Sequence, residues 1–343
     1  MKAIVKTKRA YGEVHITDVE KPKIKPGHVL IKIRATAICG SDLHAYEYPP
    51  GYEFMNIPVT LGHEYSGVVE AVGDGVEQFY VGDRVMGESN QFCGYCPNCH
   101  RGLTQICSNN RMTGIHIDGG MAEYICVPEQ IVHRIPDKVS FEEAAVAQPC
   151  AVSFHGVFDN SKVRPADIVV VFGPGIVGLM AAQAARIMGA RHVVMVGTDV
   201  DEEIRLPLAR ELGFATINGQ KGDLQEQLKV ITGQDKADVV VEGSGAAPAI
   251  SQAIELVRKG GGLTFVGIYS KPAEIFLTNL IRSEITVNTS YTCNWENYEQ
   301  ALLLIEGGQV NLKPLLKVYP FEQGLQAFQD GLDKKVLKPV LLL

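Results

Sequence analysis

The chain has 343 residues, a net charge of −7, 46% apolar and 21% charged residues, and 35 glycines. That composition excludes disordered, collagenous and fibrous classes, and the length exceeds the roughly 250–300 residues one core serves, so two domains are expected. No long basic run offers a footprint for nucleic acid or an anionic membrane, which leaves small-molecule chemistry.

The N-terminus, MKAIVKTKRAYGEVHITDVE, lacks the apolar segment of a signal peptide and predicts a chain kept in the reducing cytoplasm. Over residues 1–153 the apolar runs are short and broken by Gly and Pro, as in HVLIKIRATAICG and AEYICVPEQIVHRIP, and predict a β-rich, barrel-like domain. Within it, ICGSDLHAYEY carries Cys39, Ser41, Asp42 and His44, and LGHEYSGVVEAVGDGV carries His63 and Glu64. A thiol and an imidazole from different segments would make an incomplete zinc shell. Next, QFCGYCPNCHRGLTQIC places Cys93, Cys96, Cys99 and Cys107 at C-x2-C-x2-C-x7-C spacing, with Gly94, Pro97, Asn98 and Gly102 as turn formers. Four clustered thiols in a reducing compartment predict a closed, structural zinc site in a lobe over about residues 90–110, with an iron–sulfur cluster as the alternative.

Across residues 154–287, strands at DIVVVFG, HVVMVG, FATIN, DVVVEGSG, GLTFVGI and EITVNTS alternate with helical stretches, the rhythm of a doubly wound parallel sheet. Gly173, Gly175 and Gly178 form G-x-G-x-x-G between the first strand and a helix opened by Ile176 and Val177. In that setting the motif predicts a turn that holds a dinucleotide pyrophosphate. The apolar run 168–185 is interrupted by Pro174 and three glycines, which argues against a membrane span. The second strand ends in Gly197, Thr198 and then Asp199, not in an acid at its tip. Asp199, Asp201, Glu202 and Glu203 would repel the 2′-phosphate of NADP and Arg205 alone would attract it, which favours NAD and leaves NADP open. Residues 288–343, with a helix at WENYEQALLLIEGG and a last strand at KPVLLL, are expected to rejoin the first domain.

The run G-H-E-x2-G at residues 62–67, with glycines at 73 and 75, resembles the zinc signature of the medium-chain alcohol dehydrogenases, in the polyol, sorbitol-type and threonine-type branch. The resemblance extends over essentially the whole chain, with the motifs in order. It implies a GroES-like β-barrel catalytic domain and a Rossmann nucleotide-binding domain. It also implies two zinc ions per chain, a nicotinamide cofactor, and a homodimer or homotetramer. Catalytic zinc would sit on Cys39 and His63, with Glu64 as a third or exchangeable ligand, and a proton relay would run through Ser41 and His44. Neighbours on a regular strand point to opposite faces, so His63 and Glu64 share one ion only where the strand ends or bends.

Where polyol dehydrogenases show Glu-Pro-Leu, this chain has Gln148, Pro149 and Cys150. Either the neutral Gln148 amide, which is favoured, or the Cys150 thiol would complete the shell. Zinc and nicotinamide together imply reversible oxidation of a secondary alcohol, of a polyol or sugar derivative, to its ketone. Asn90 replaces the histidine of the threonine branch, which counts against threonine, the nearest alternative substrate. A zinc protein that senses NAD(P)H without turnover is the alternative from another class. Tyr46, Tyr48, Tyr52 and Phe54 would line the substrate mouth or pack beneath a loop.

Overall fold

A computed structural model describes residues 1–343. The chain divides into two compact units, one of Met1–Gln148, Asn294–Gly307 and Leu315–Leu343, the other of Pro149–Cys293 and Gly308–Pro314.

In the first unit, β1 (Lys2–Lys6), β2 (Val14–Asp18) and β4 (Val59–Thr60) form an antiparallel sheet in the order β2-β1-β4. A second sheet is organised by β3 (His28–Ala37), which pairs with β5 (Glu64–Val72), β9 (Tyr124–Pro128) and β18 (Lys338–Leu342). It is extended by β6 (Arg84–Gly87), β10 (Val132–Arg134) and β17 (Leu316–Pro320). The reason is legible in β3: Ile31 and Ile33 are buried while Lys32 and Arg34 are exposed, the period of a half-buried strand. The pairing sets Ala37 opposite both Glu64 and Val340, so the chain after β3 and the first residues of β5 and β18 meet at one end of the sheet. A short ribbon of β7 (Asn90–Gln91) and β8 (Arg111–Met112) closes the base of the cysteine lobe.

The second unit is a six-stranded parallel sheet built from β11 (Ile168–Phe172), β12 (His192–Gly197), β13 (Ala215–Asn218), β14 (Ala237–Glu242), β15 (Val257–Phe265) and β16 (Thr286–Thr289). Its order, β13-β12-β11-β14-β15-β16, reverses direction beside β11, the point at which doubly wound sheets open a ligand crevice. All five residues of β11 are buried, as a strand covered on both faces requires. The apolar run at 168–185 is therefore this strand, the glycine turn and most of the helix Ile176–Ile187; no helix is long and apolar enough to cross a membrane.

Candidate metal and dinucleotide sites

Residues 39–42 leave the end of β3 and start the helix Gly40–Glu47, with Cys39 as its N-cap. Asp42, fully buried at the third helical position, accepts from the Cys39 backbone N–H at 2.9 Å and from the Gly62 N–H at 3.3 Å. One carboxylate thus ties the thiol segment to the segment that carries His63, whose Nδ1 lies 4.0 Å from Asp42 Oδ1. The ligand atoms of Cys39, His63 and Glu64 all lie within 4.8 Å of one another. The strand geometry permits this because Gly62, at φ +93°, turns the chain and β5 begins only at Glu64.

The electrostatics suit a metal. Burial alone would raise the Cys39 thiol, but the charges of His63 and Lys338 bring it down to about 6. Burial opposes a charged His63, and the negative charges of Cys39 and Asp42 nevertheless raise it to about 9. The sulfur is thereby held as thiolate, the form a metal binds. His63 Nδ1 is buried without a hydrogen-bond partner, a cost that coordination and reorientation toward Asp42 would relieve.

Glu64 carries a second burden. Lys338 Nζ, itself buried, lies 2.6 Å from Glu64 Oε1 and 2.5 Å from Oε2, and also donates to the Ile38 carbonyl at 3.0 Å. Burial pushes the Glu64 carboxyl up to about 7 against the pull of this ammonium. The ion pair leaves Glu64 a partly neutralised ligand, and one that is unavailable as an unpaired base.

Gln148 is buried, and its Nε2 donates to Ser89 Oγ at 3.4 Å; Ser89 Oγ in turn shares a hydrogen bond with the Tyr298 hydroxyl at 3.3 Å, and that hydroxyl accepts from the Ser89 backbone N–H at 3.2 Å. Cys150 lies buried in the helix Ala147–Phe154. Ser41 is half-buried on the helix after Cys39, and the exposed His44, one turn on, has Nδ1 3.2 Å from Glu47 Oε2. The four aromatic residues separate. Tyr46 packs between Tyr11 and Phe328, and the hydroxyl of Tyr48 is buried, so these two serve packing. Tyr52 and Phe54 instead form a chain of rings running from His44 to His116.

In the lobe, sulfur–sulfur distances are 3.5 Å for Cys96–Cys99, 3.9 Å for Cys96–Cys107 and 3.5 Å for Cys93–Cys107. Disulfides need ~2.05 Å, whereas thiolates ~2.3 Å from a tetrahedral ion lie about 3.8 Å apart. A multi-iron cluster would hold them farther apart because its own sulfides intervene. Backbone N–H groups support the sulfurs: Cys93 and Asn109 each donate to Cys107 Sγ at 3.3 Å. The N–H groups of Cys99 and Ser108 draw the Cys96 thiol down to about 5, while burial and the bonded Cys96 push Cys99 up to about 12. Free thiols crowded in this way share protons unequally, and a divalent cation removes the conflict. The donor set is closed and fits structural zinc.

At the glycine turn each residue has its own reason. Gly173 has φ +87° and packs against Ser244, where a side chain's Cβ would come within 2.7 Å of Ser244 Cα. A Cβ on Gly178 would meet the Gly173 carbonyl at 1.9 Å. Gly175, the N-cap of the helix Ile176–Ile187, faces open space, which is the room a pyrophosphate needs at a helix N-terminus. Beyond β12, Thr198 and Asp201 cap each other, Arg205 Nη1 lies 3.4 Å from Asp201 Oδ1, and the exposed Asp199 accepts from Asn218 Nδ2 at 2.8 Å. Lys221 is a second cation there, paired to Glu202 at 2.9 Å and Asp199 at 3.8 Å.

Residues 25–137 match the alcohol dehydrogenase GroES-like domain, and residues 177–307 match the zinc-binding dehydrogenase domain. The chain belongs to the zinc-binding alcohol dehydrogenase family. It is 38% identical to a sorbitol dehydrogenase of Halalkalibacterium halodurans, with 98% of each chain covered. It is 35% identical to an L-threonine 3-dehydrogenase of Idiomarina loihiensis, covering 98% of this chain and 99% of that one. A zinc-binding dehydrogenase of Sinorhizobium meliloti, solved with NADP, superposes with a TM-score of 0.90 at 28% identity, covering 100% of this chain and 99% of that one. The expected family, oxidoreductase class and fold, a GroES-like unit plus a Rossmann unit, thus hold.

Asp42, Lys338, Ser89 and Lys221 are the site residues that the sequence reading left without a role. Asp42 had a signal, three residues after a helix-capping cysteine. Lys338 had none, since 274 positions separate it from Glu64.

Proposed function

We propose that this chain is a zinc-dependent, NAD-preferring dehydrogenase that oxidises a secondary alcohol of a polyol or sugar derivative to the ketone. The observation that carries the reading is the half-buried Cys39 thiol grouped with the buried His63 and Glu64, with its thiolate-favouring electrostatics. When bound, zinc supplies Lewis-acid polarisation of an alcohol oxygen, and the nicotinamide accepts hydride.

The chain's residues do the rest. Cys39 and His63 hold the metal, Glu64 is a third ligand tempered by Lys338, and the Gln148 amide, oriented by Ser89, is the favoured fourth. Ser41 takes the hydroxyl proton and passes it toward His44, which is exposed and discharges it to water beside Glu47. The backbone of Gly173, Gly175, Ile176, Val177 and Gly178 holds the pyrophosphate, and Thr198 and Asp199 hold the adenosine ribose. Acid predominates there and both cations, Arg205 and Lys221, are already paired, which supports NAD over NADP.

Oxidation of L-threonine or another amino alcohol is the second reading, favoured by the Idiomarina relative. Against it, Asn90 is buried and accepts from Asn110 Nδ2 at 2.9 Å, with no imidazole to offer an amino acid. The proposal extends to a cytoplasmic homodimer or homotetramer formed partly through the nucleotide unit, where β16 is an edge strand with Val287 exposed. Light scattering tests that assembly.

The functional test is NAD+ and NADP+ reduction with sorbitol, xylitol, inositol and threonine. Polyol turnover with kcat/KM at least about tenfold higher for NAD+ is expected. Turnover of threonine alone would favour the second reading, and NADH binding without turnover of any alcohol would point to a sensor.

A further inference from the structure

Glu242 ends β14, next to the strand that carries the glycine turn, and is completely buried. No lysine or arginine pairs with it; donors balance its charge instead. Ser244 donates to Oε1 through its backbone N–H at 2.8 Å and through its hydroxyl, and Gly245 N–H donates to Oε2 at 3.3 Å. The fourth donor, the Tyr269 hydroxyl, comes from the loop after β15 and bonds to Oε2.

Glycines let these loops close on one another. Gly267 leaves so little room that a Cβ would sit 2.7 Å from Glu242 Oε2 and 2.4 Å from Gly245 N. Gly245, at φ +67°, would place a Cβ 2.4 Å from the Ile268 carbonyl. Ser244, held by Glu242, is the residue against which Gly173 of the glycine turn packs. The turns after β11, β14 and β15 thus form one continuous stack at the carboxyl edge of the parallel sheet, the edge where such sheets bind ligands. Ile268, between Gly267 and Tyr269, is 73% exposed on that edge.

We propose that Glu242 and Tyr269 act as a positioning clamp for the dinucleotide, fixing the loops at 243–246 and 266–269 in the arrangement that the bound cofactor requires. The inference rests on the dinucleotide reading of this crevice. Neither residue need touch the cofactor; each acts through the backbone it holds. Burial and the neighbouring carboxylate push the Tyr269 hydroxyl upward, so it remains a donor at all working pH values.

The test is NADH affinity, read by fluorescence quenching on zinc-loaded wild type, Tyr269→Phe and Glu242→Gln, with steady-state kinetics and melting temperature for each. Loss of the clamp should raise the NADH Kd and the dinucleotide KM about tenfold, the scale of one lost hydrogen bond to a charged group. The alcohol KM, zinc content and kcat at saturating dinucleotide should stay within twofold of wild type. The double variant should bind no more weakly than Glu242→Gln alone, because both changes remove the same link. Should Glu242→Gln fail to fold, Tyr269→Phe, which keeps the ring, decides alone. An NADH Kd within twofold of wild type in Tyr269→Phe would overturn the clamp. So would equal rises in the alcohol and dinucleotide KM together with a lowered melting temperature, the signature of a general packing role. A wild type that binds neither NADH nor NADPH would instead overturn the dinucleotide reading, and the clamp with it.

Discussion

The four-cysteine lobe draws all of its ligands from residues 93–107, whereas the Cys39–His63–Glu64 group needs the ends of three strands and a lysine 274 positions from its carboxylate. The lobe is short turns around four sulfurs, supported by backbone N–H groups and by the side-chain amides of Asn98 and Asn109. Little else there would keep like thiols together once the ion is gone. The Cys39–His63–Glu64 group is held by the surrounding fold: Asp42 bonds both segments and Lys338 anchors Glu64. One site is shaped by its metal and the other is shaped for it.

That contrast can be broken by substitution. Cys39→Ser should lower kcat/KM for the alcohol by about 10³-fold or more, because the Lewis-acid polarisation that a zinc held by Cys39 would supply is lost, while the melting temperature stays near wild type. Cys96→Ser should do the reverse, lowering the melting temperature first and activity only through the loss of folded enzyme. Equal melting temperatures for the two variants would remove the distinction.

Next in size is the buried ion pair. Lys338→Met strands Glu64 in a fully buried position, at a cost of about 3–5 kcal/mol in urea unfolding. Adding Glu64→Leu should recover most of that loss, since no charge is then left unpaired. A single variant as stable as wild type would mean that Lys338 does not set the site. Asp42→Asn is gentler: it keeps the shape but weakens the orientation of His63, and should reduce metal affinity 10–100-fold in a chelator competition that leaves the lobe ion in place.

The smallest expected effect lies outside both groups. His133 is sandwiched between Glu88 (3.0 Å) and Glu299 (2.5 Å), so it fastens the helix Trp295–Glu306 to β6 and β10. Burial would lower its pKa, but the two carboxylates raise it above the ordinary 6.5. A raised folded value means that the stabilisation is complete below pH 6.5 and fades as pH climbs through the folded value. Burial raises Glu88 too, which acts in the same direction. The stability gap between wild type and His133→Gln should therefore be about 2 kcal/mol near pH 6 and shrink toward pH 9 in a melting series. A gap that widens with pH would contradict the assignment.

How much of this was legible in the sequence follows the same division. The lobe was readable because its ligands and turn formers are local, and the six parallel strands because each is a short apolar run between turn signals. The proximity of His63 and Glu64 hung on a bend that period-2 reasoning permits but does not locate; Gly62 supplies it. Lys338 was invisible, since a lysine in KPVLLL reads as an exposed strand end until β18 is paired with β3. Tyr46 and Tyr48 stayed open between substrate mouth and packing because an aromatic-rich loop has the same composition whether its rings face a substrate or the core; the structure packs these two.

The most direct test is zinc content per chain, by mass spectrometry, of wild type and Cys39→Ser purified without added metal. Two zinc ions in wild type and one in Cys39→Ser are predicted. The same zinc content in both proteins would contradict the claim that Cys39 and His63 form a second metal site.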